Sequence, residues 1–263
     1  MHGLNTYDYG ARQYDPARIT WDRMDQLCEE KPWNNPYVFC SANPINKIDL
    51  DGNDDYSINK NGTFTLIQRN QSLTDKIIST SNNSIEVSRS FMQSHINLTI
   101  KAQGSKSIDE NEVFKADVDM YSMCDVKGAT QIYEFLKNNS DVEWSKTIVG
   151  NSEEKVAFIS TSHDEQLEAG QGVVSTIITE GVKVSNNAKY SNISKYNTIY
   201  DASHTHSLNN LTVSYGDVNM AKKIQAKFPQ AKLTIYDGNT YYNFDRYSEA
   251  GMLPDLIING TKH

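Results

Sequence analysis

The spacing of apolar residues along the chain predicts a mixture of strands and helices. Residues 53–110 are polar and contain short alternating runs, TFTLIQR and SHINLTIKA, that fit edge or paired strands separated by turns. From about residue 111, segments of strand and helix character alternate. Four apolar runs there predict strands: VEWSKTIVG, EKVAFISTSH, the β-branched GVVSTIITEGVKVS, and NTIYDASHTHS.

Two segments of the second half have helical periodicity. GATQIYEFLKNNS has Ile132, Phe135 and Leu136 at helical spacing and ends in polar residues. SYGDVNMAKKIQAKFP predicts an amphipathic helix that stops at Pro229. The apolar face of that helix comprises Val218, Ala221, Ile224 and Phe228. KLTIYDGNTYYNFD predicts a hairpin that turns at Asp237-Gly238. We therefore expect an α+β (mixed α/β) domain with a central sheet flanked by helices.

Composition and charge exclude several classes of protein. A net charge of −8 and scattered Lys and Arg argue against a protein that coats nucleic acid. Three cysteines at irregular spacing predict neither a disulfide scaffold nor a zinc–thiolate cluster. No apolar run approaches the length of a membrane span, and the N-terminus lacks the pattern of a signal peptide. Secretion, if it occurs, would need a specialised system that does not depend on a cleavable signal; otherwise the protein would be cytoplasmic.

Residues 1–52 differ from the rest in being rich in Tyr, Trp, Asn, Asp and Pro. YDYGARQYDP, followed by WDRMDQLCEEKPWNNPYVFCSANPINKIDLDG, resembles the end of the core of Rhs/YD-repeat polymorphic toxins. The matching residues are Tyr7, Asp8, Tyr9, Gly10, Ala11, Arg12, Tyr14, Asp15 and Pro16, then Asn43, Pro44, Ile45, Asp49, Asp51 and Gly52. The resemblance implies a short β-rich core remnant, with a variable effector domain after it. Asp49-Leu50 stands where relatives often have Asp-Pro, which leaves self-cleavage there without support.

His204 and His206 lie one residue apart in the predicted strand NTIYDASHTHS, so their side chains point the same way. Two imidazoles on one face suit zinc, which binds neutral imidazole nitrogens at about 2.0–2.1 Å. A polar strand end is the alternative. The following SYGD has the outline of a capping box, Ser214 as N-cap and Asp217 three residues later, which needs no catalysis. A helix start is also a good place to hold a carboxylate against a metal.

Together, His204-x-His206, seven residues, and Ser214-x-x-Asp217 resemble the JAMM signature of the JAB/MPN metallopeptidase family. The resemblance implies a zinc-dependent peptidase or isopeptidase with Zn²⁺ bound by the two histidines and the aspartate. JAB-like domains also occur as effectors of polymorphic toxins. Ser207 replaces the proline that usually follows the second histidine, a change that leaves metal binding chemically possible.

The chemistry also needs a proton acceptor, since a carboxylate must take the proton of zinc-activated water and deliver it to the leaving amine. In the family this is a glutamate at the start of the strand after the first helix, and Glu143 occupies that place here. The other candidates are Glu153, Glu154, Glu165, Glu168 and Glu180. The Ser214 hydroxyl could donate to the oxyanion that forms on the attacked carbonyl. His163 is expected to be a loop histidine or a supporting contact.

These patterns predict three segments: a core remnant at 1–52, a polar linker or small β-rich region at 53–110, and a JAB-like metallopeptidase domain at 111–263. The expected partners are a protein or peptide substrate, such as a ubiquitin-like conjugate or a cell-wall peptide, and a cognate immunity protein. Two alternatives stay open: an inactive MPN-like binding or scaffold module, and a nuclease effector. The second is weakened because Lys189 and Lys195 are the only cations between residues 184 and 221.

Overall fold

The computed structural model describes residues 7–8, 13–18, 20–24, 37, 53–70, 74–103, 113–165, 170–180, 191–206 and 211–256. Mixed sheets and helices occur together in these residues, which confirms the predicted α+β class. Three short strands near the N-terminus form an antiparallel sheet: β1 (Tyr7–Asp8), β2 (Gln13–Asp15) and β3 (Thr20–Trp21). Most of the Rhs-like pattern, including residues 9–12 and 43–52, lies outside the described residues.

A four-stranded sheet follows in the region that the sequence predicted to be linker or β-rich. Its strands are β4 (Asn53–Ile58), β5 (Phe64–Asn70), β6 (Asp75–Ser79) and β7 (Ser84–Val87), in the order β5-β4-β6-β7. A tight turn over residues 59–63 joins β4 to β5. Gly62 adopts a φ of 77° in this turn, a conformation that favours glycine.

The main sheet has eight strands in the order β15-β14-β13-β12-β10-β11-β9-β8. The strands are β8 (Ile96–Gln103), β9 (Val113–Met123), β10 (Ser145–Gly150), β11 (Lys155–Thr161), β12 (Thr198–Thr205), β13 (Lys232–Tyr236), β14 (Tyr241–Asn243) and β15 (Asp255–Leu256). β12 and β13 run parallel, and the other neighbours are antiparallel. Glu143 lies just before β10, and the two histidines lie at the end of β12. These two central strands are neighbours in the sheet.

Five helices are defined in the described part of the chain. They are α1 (Arg89–Gln93), α2 (Val126–Asn139), α3 (Gly170–Glu180), α4 (Ser191–Ser194) and α5 (Tyr215–Lys227). The predicted helices at GATQIYEFLKNNS and SYGDVNMAKKIQAKFP are confirmed as α2 and α5. Among the described helices, none is both long and apolar enough to cross a bilayer.

Two hydrophobic cores lie on opposite faces of the main sheet. On one face, α2 and the four-stranded sheet bury a cluster that includes Ile58, Ile77 and Trp144. On the other face, α3 and α5 bury a cluster that includes Ile178 and Ile224. Alternation along β10 and β12 assigns successive side chains to the two faces in turn. Both central strands are therefore covered on both sides, which explains why they contain few exposed positions.

The β-branched run GVVSTIITEGVKVS was predicted to be a strand, and this was wrong for the part that the structure describes. Residues 170–180 form helix α3, which buries Val174, Ile177 and Ile178 at helical spacing. The Thr179 hydroxyl donates to the Ser175 carbonyl one turn earlier, at 2.7 Å. Burial of one apolar stripe against the sheet outweighs the weak intrinsic preference of β-branched residues for strands.

The sheet also draws on residues from both sides of the predicted boundary at residue 110. β8 pairs with β9 from Ile96↔Met120 to Gln103↔Val113. The division into 1–52, 53–110 and 111–263 stays a prediction. Cys124 is an exposed free thiol, whereas Cys28 and Cys40 lie outside the described residues.

Candidate metal centre

The two histidines of the H-x-H pair lie at the end of β12, in the middle of the main sheet. His204 pairs with Ser145 of β10 on one side and with Ile235 of β13 on the other. The His206 N–H donates to the Tyr236 carbonyl at 3.1 Å, so the strand is held one residue beyond its regular end. Both rings are buried, with 4% and 6% of their surface exposed. Neighbouring strands on both sides therefore fix the two imidazoles before any ligand arrives.

Asp217 is held by the first turn of α5 through a reciprocal capping box. The Asp217 N–H donates to the Ser214 hydroxyl oxygen at 3.1 Å, and the Ser214 N–H donates to Asp217 Oδ2 at 2.7 Å. The predicted capping box is thereby confirmed. Since the N-terminus of a helix favours negative charge, the carboxylate is stabilised where the helix begins.

The capping aspartate and the two histidines converge on one point. The Nε2 atoms of His204 and His206 lie 3.0 Å apart. Asp217 Oδ1 is 3.0 Å from His204 Nε2, and Asp217 Oδ2 is 3.5 Å from His206 Nε2. One possible ligand atom from each residue lies within 4.8 Å of the others, and all three residues are buried. The structure thus brings together the three residues that the sequence predicted to be metal ligands.

This donor set fits a tetrahedral metal ion. Two ligand atoms bound to zinc at 2.0–2.1 Å in tetrahedral geometry lie about 3.3 Å from each other. The two Nε2 atoms, 3.0 Å apart, lie near that spacing, and the Asp217 carboxylate lies 3.0 Å from one of them through Oδ1 and 3.5 Å from the other through Oδ2. Neutral imidazoles and a carboxylate are ligands that zinc accepts readily, and three protein ligands leave a fourth position open.

The charge state of Asp217 suits metal binding. Burial raises the pKa of its carboxyl, but His204, His206 and the Ser214 N–H together outweigh burial and bring the pKa down to about 2. The group is therefore a carboxylate at neutral pH. A deprotonated carboxylate can bind a cation without first losing a proton.

Glu143 lies in the short segment between α2 and β10 and is buried, with 7% of its surface exposed. Ser145 is paired with His204, and the Thr205 N–H donates to the Trp144 carbonyl at 2.8 Å, which continues the pairing by one residue. Regular pairing begins at Ser145, and extending the same register to Glu143 would set it opposite His206. Residues opposite each other in an antiparallel pair share a face, so the register assigns Glu143 to the face that carries both histidines.

The other glutamates lie elsewhere or lack these contacts. Glu153 and Glu154 are in the turn between β10 and β11, at the far end of β10 from the histidines, and Glu154 pairs with Lys195 at 3.0 Å. Glu165 is exposed, and Glu168 lies outside the described residues. Glu180 ends α3. The role of Glu143 as proton acceptor stays a prediction, but it is the glutamate whose backbone register leads to the histidines.

Comparison with known proteins gave a match that covers the part of the chain that contains the candidate metal centre. Residues 121–222 match the family model of JAB-like toxin 1. This segment of the chain is therefore similar to JAB-like toxins. Neither the curated proteins nor the solved structures gave a match to the chain. The matched segment begins in β9 and ends within α5, so it contains Glu143, both histidines, Ser214 and Asp217.

Sequence patterns did not reveal how the fold supports the segment around Glu143. His163 was expected to be a loop histidine or a supporting contact, and the structure shows its side chain bonded to Asp119 and to the Asn61 carbonyl. Asp119 and Asn61 carried no signal in the sequence, because their partners lie 44 and 102 residues away along the chain. Only the pairing of β9 with β11 and the position of the Asn59–Thr63 turn bring them together.

Ser214→Ala is expected to lower the free energy of unfolding by about 0.5–2 kcal/mol, because the α5 N-terminus loses its cap. Urea denaturation of the two proteins measures the difference. Ser88→Ala is a matched control, since Ser88 is the N-cap of α1 but its hydroxyl meets the Ser90 hydroxyl and caps no backbone N–H of that helix. A loss equal to that of the control would show that the Ser214 hydroxyl does not stabilise α5.

Proposed function

We propose that the chain contains a JAB-like toxin domain, and that this domain is a zinc-dependent peptidase or isopeptidase that acts as an effector. In this proposal His204, His206 and Asp217 hold the zinc ion, Glu143 moves the proton, and Ser214 assists at the substrate carbonyl. The observation that carries it is the convergence of two Nε2 atoms and a carboxylate on one buried point, at separations that fit tetrahedral zinc. The family match to JAB-like toxins supports the effector assignment.

When bound, zinc would polarise a carbonyl oxygen and lower the pKa of a water molecule towards about 7. Glu143 would accept a proton on its carboxylate and return it to the nitrogen of the leaving amine. Its register opposite His206 suits this role, since a proton acceptor must lie beside the metal rather than among its ligands. Because Glu143 is buried, its carboxylate would act in a site that largely excludes bulk water.

The Ser214 hydroxyl accepts from the Asp217 N–H and keeps its own hydrogen for donation. An oxyanion that forms on the attacked carbonyl could receive that hydrogen, which would stabilise the transition state. Capping and donation use different parts of the hydroxyl, the lone pair and the hydrogen. The two functions of Ser214 are therefore compatible.

The wider setting follows from the resemblance of the N-terminal segment to the Rhs core. We propose that the domain is the C-terminal effector of an Rhs-type polymorphic toxin, delivered by a specialised secretion system and countered by a cognate immunity protein. Its substrate would be a protein or peptide, such as a ubiquitin-like conjugate or a cell-wall peptide.

Metal content and metal-dependent cleavage test the proposal together. We expect the purified protein to contain about one zinc ion per chain by elemental analysis. A quenched fluorescent peptide library and lysine isopeptide conjugates serve as substrates, before and after removal of zinc by a chelator. Cleavage should stop after chelation and return when zinc is added back. Cleavage that survives chelation, or a protein that takes up no zinc, would contradict the proposal.

A further inference from the structure

Both backbone groups of Glu143 are held by residues 161–164. The Glu143 N–H donates to the Asp164 carbonyl at 2.8 Å, and the Glu143 carbonyl accepts from the Thr161 hydroxyl, also at 2.8 Å. The His163 N–H donates to the same Thr161 hydroxyl oxygen at 3.1 Å. The position of the Glu143 backbone is therefore determined by the conformation of this segment.

The His163 side chain holds that segment in an uncommon conformation. His163 has a φ of 58°, in the left-handed region that residues other than glycine rarely adopt. Its Nδ1 lies 3.0 Å from the Asn61 carbonyl oxygen, and its Nε2 lies 3.1 Å from Asp119 Oδ2. Two side-chain bonds to different parts of the fold thus offset the cost of the backbone conformation.

Both partners of the His163 ring are hydrogen-bond acceptors. The backbone carbonyl of Asn61 can only accept. Burial raises the pKa of Asp119, but hydrogen bonds from His163, His95 and Asn97 hold it well below its usual range, so this group is a carboxylate. A neutral imidazole has only one N–H, whereas two donated bonds require two. Two donated ring bonds therefore point to the imidazolium form of His163.

The charged groups around His163 favour the same form. Its pKa is raised above 6.5 by the hydrogen bond to Asp119, against the opposing effect of burial, with further support from Asn61 and from Asp117 on the same strand as Asp119. His95 faces the other oxygen of Asp119 at 2.9 Å and stacks on Tyr121. One carboxylate thus lies between two histidines.

The turn at residues 59–63 supports Glu143 from its N-terminal side. The Asp141 N–H donates to the Lys60 carbonyl at 2.8 Å, and Lys60 Nζ pairs with Asp141 Oδ1 at 3.0 Å. Gly62 packs so closely that a Cβ there would lie 2.6 Å from Val142 Cγ2. The same turn supplies the Asn61 carbonyl to His163. It therefore contacts both residues 141–142 and His163, although it lies outside the segment that matches JAB-like toxins.

We propose that His163, as an imidazolium, and the Asn59–Thr63 turn are positioning elements that hold Glu143 in the metal centre. We call the bonds from residues 161–164 and the Asn59–Thr63 turn that hold the Glu143 backbone the clamp. Its catalytic role rests on the proposed function, whereas the clamp itself rests on the contacts above. Loss of the His163 proton would break one of its two ring bonds and loosen residues 161–164. The Glu143 backbone would then lose its fixed position.

The first test uses the unmodified protein and measures the protonation of His163 directly. Ring ¹⁵N chemical shifts, followed by NMR as pH rises, should show both His163 nitrogens protonated at neutral pH and a titration above the ordinary value of about 6.5. This measurement needs neither substrate nor variant. A His163 ring that is neutral at pH 7, or that titrates at or below about 6.5, would overturn the inference.

The second test compares His163→Asn with His95→Asn. Asparagine tolerates a positive φ but cannot make both ring bonds, whereas His95→Asn removes the other imidazole on Asp119 and leaves the Asn61 and Thr161 contacts in place. Hydrogen exchange at the Glu143 amide should be about tenfold faster or more in His163→Asn and unchanged in His95→Asn. Equal exchange in all three proteins would contradict the positioning role.

The free energy of unfolding should depend on whether His163 is protonated. Because the folded pKa is raised, the protonated ring stabilises the fold fully below about pH 6.5, and this contribution is lost as pH rises through the folded pKa. The unfolding free energy lost in His163→Asn should therefore be larger at about pH 6 than at about pH 9. A loss independent of pH would indicate a packing role without the charge.

Kinetics then separate this inference from the proposed function. If the protein cleaves peptides, His163→Asn should keep its zinc and its KM while kcat falls by about tenfold or more. If it cleaves none and binds no zinc, the proposed function fails, while exchange at Glu143 and the His163 titration still decide whether the clamp exists. An unchanged kcat with faster exchange would show that the clamp does not serve catalysis.

Discussion

Glu143→Gln is expected to retain about one zinc ion per chain and to lower kcat for peptide cleavage by about 10²–10⁴-fold. Glutamine has nearly the same shape as glutamate, so the buried segment before β10 should keep its structure. An amide, however, cannot accept the proton that the carboxylate is proposed to move. Steady-state kinetics on a quenched fluorescent peptide, beside elemental analysis of both proteins, measures the change.

Glu153→Gln is the matched control for this experiment. Glu153 is exposed and lies in the turn at the opposite end of β10, so its replacement should leave both zinc content and kcat unchanged. Full activity in Glu143→Gln would show that another group accepts the proton. Loss of zinc together with activity would instead place Glu143 among the groups that build the metal centre.

The second large effect is expected from His204→Ala/His206→Ala, which should contain almost no zinc. The two substitutions remove both nitrogen ligands and leave Asp217 alone, and a single carboxylate does not hold zinc tightly. Added zinc should raise the melting temperature of the unmodified protein, because it binds only the folded form, and should not raise that of the variant. Elemental analysis and thermal unfolding with and without zinc measure these outcomes.

His95→Asn controls for the loss of an imidazole as such, since His95 lies in the Asp119 cluster and not in the metal centre. We expect it to keep its zinc. If the double variant bound as much zinc as the unmodified protein, the ion would be held elsewhere. In that case the two histidines would be a polar strand end, and the alternative of a binding or scaffold module would be favoured.

Local patterns predicted the elements that carry the site because each signal lies within a few residues. The polar spacing of S-x-x-D predicted the capping box, and the box is present with both of its hydrogen bonds. The alternation around H-x-H predicted a strand with both rings on one face, and β12 has this arrangement. The turn at Asp237-Gly238 is confirmed as the connection between β13 and β14.

The same reasoning failed at α3, where the local signal and the tertiary packing disagree. Val173, Val174, Ile177 and Ile178 are residues that favour strands in isolation, and they have no polar alternation to indicate a face. They form a helix because one apolar stripe of that helix packs on β10 and β12 and is buried there. A window of a dozen residues contains no signal of this packing.

The sequence by itself determined the residue types, the capping box and the H-x-H strand, because these depend on backbone geometry over short distances. Only the tertiary structure decided that the two Nε2 atoms and Asp217 meet at about 3 Å, since β12 and α5 must first pack against each other. It also decided the support of Glu143 by Thr161, His163 and the distant Asn59–Thr63 turn. Contacts between residues a hundred positions apart leave no local pattern, because the pairing of strands creates them and not the chain near them.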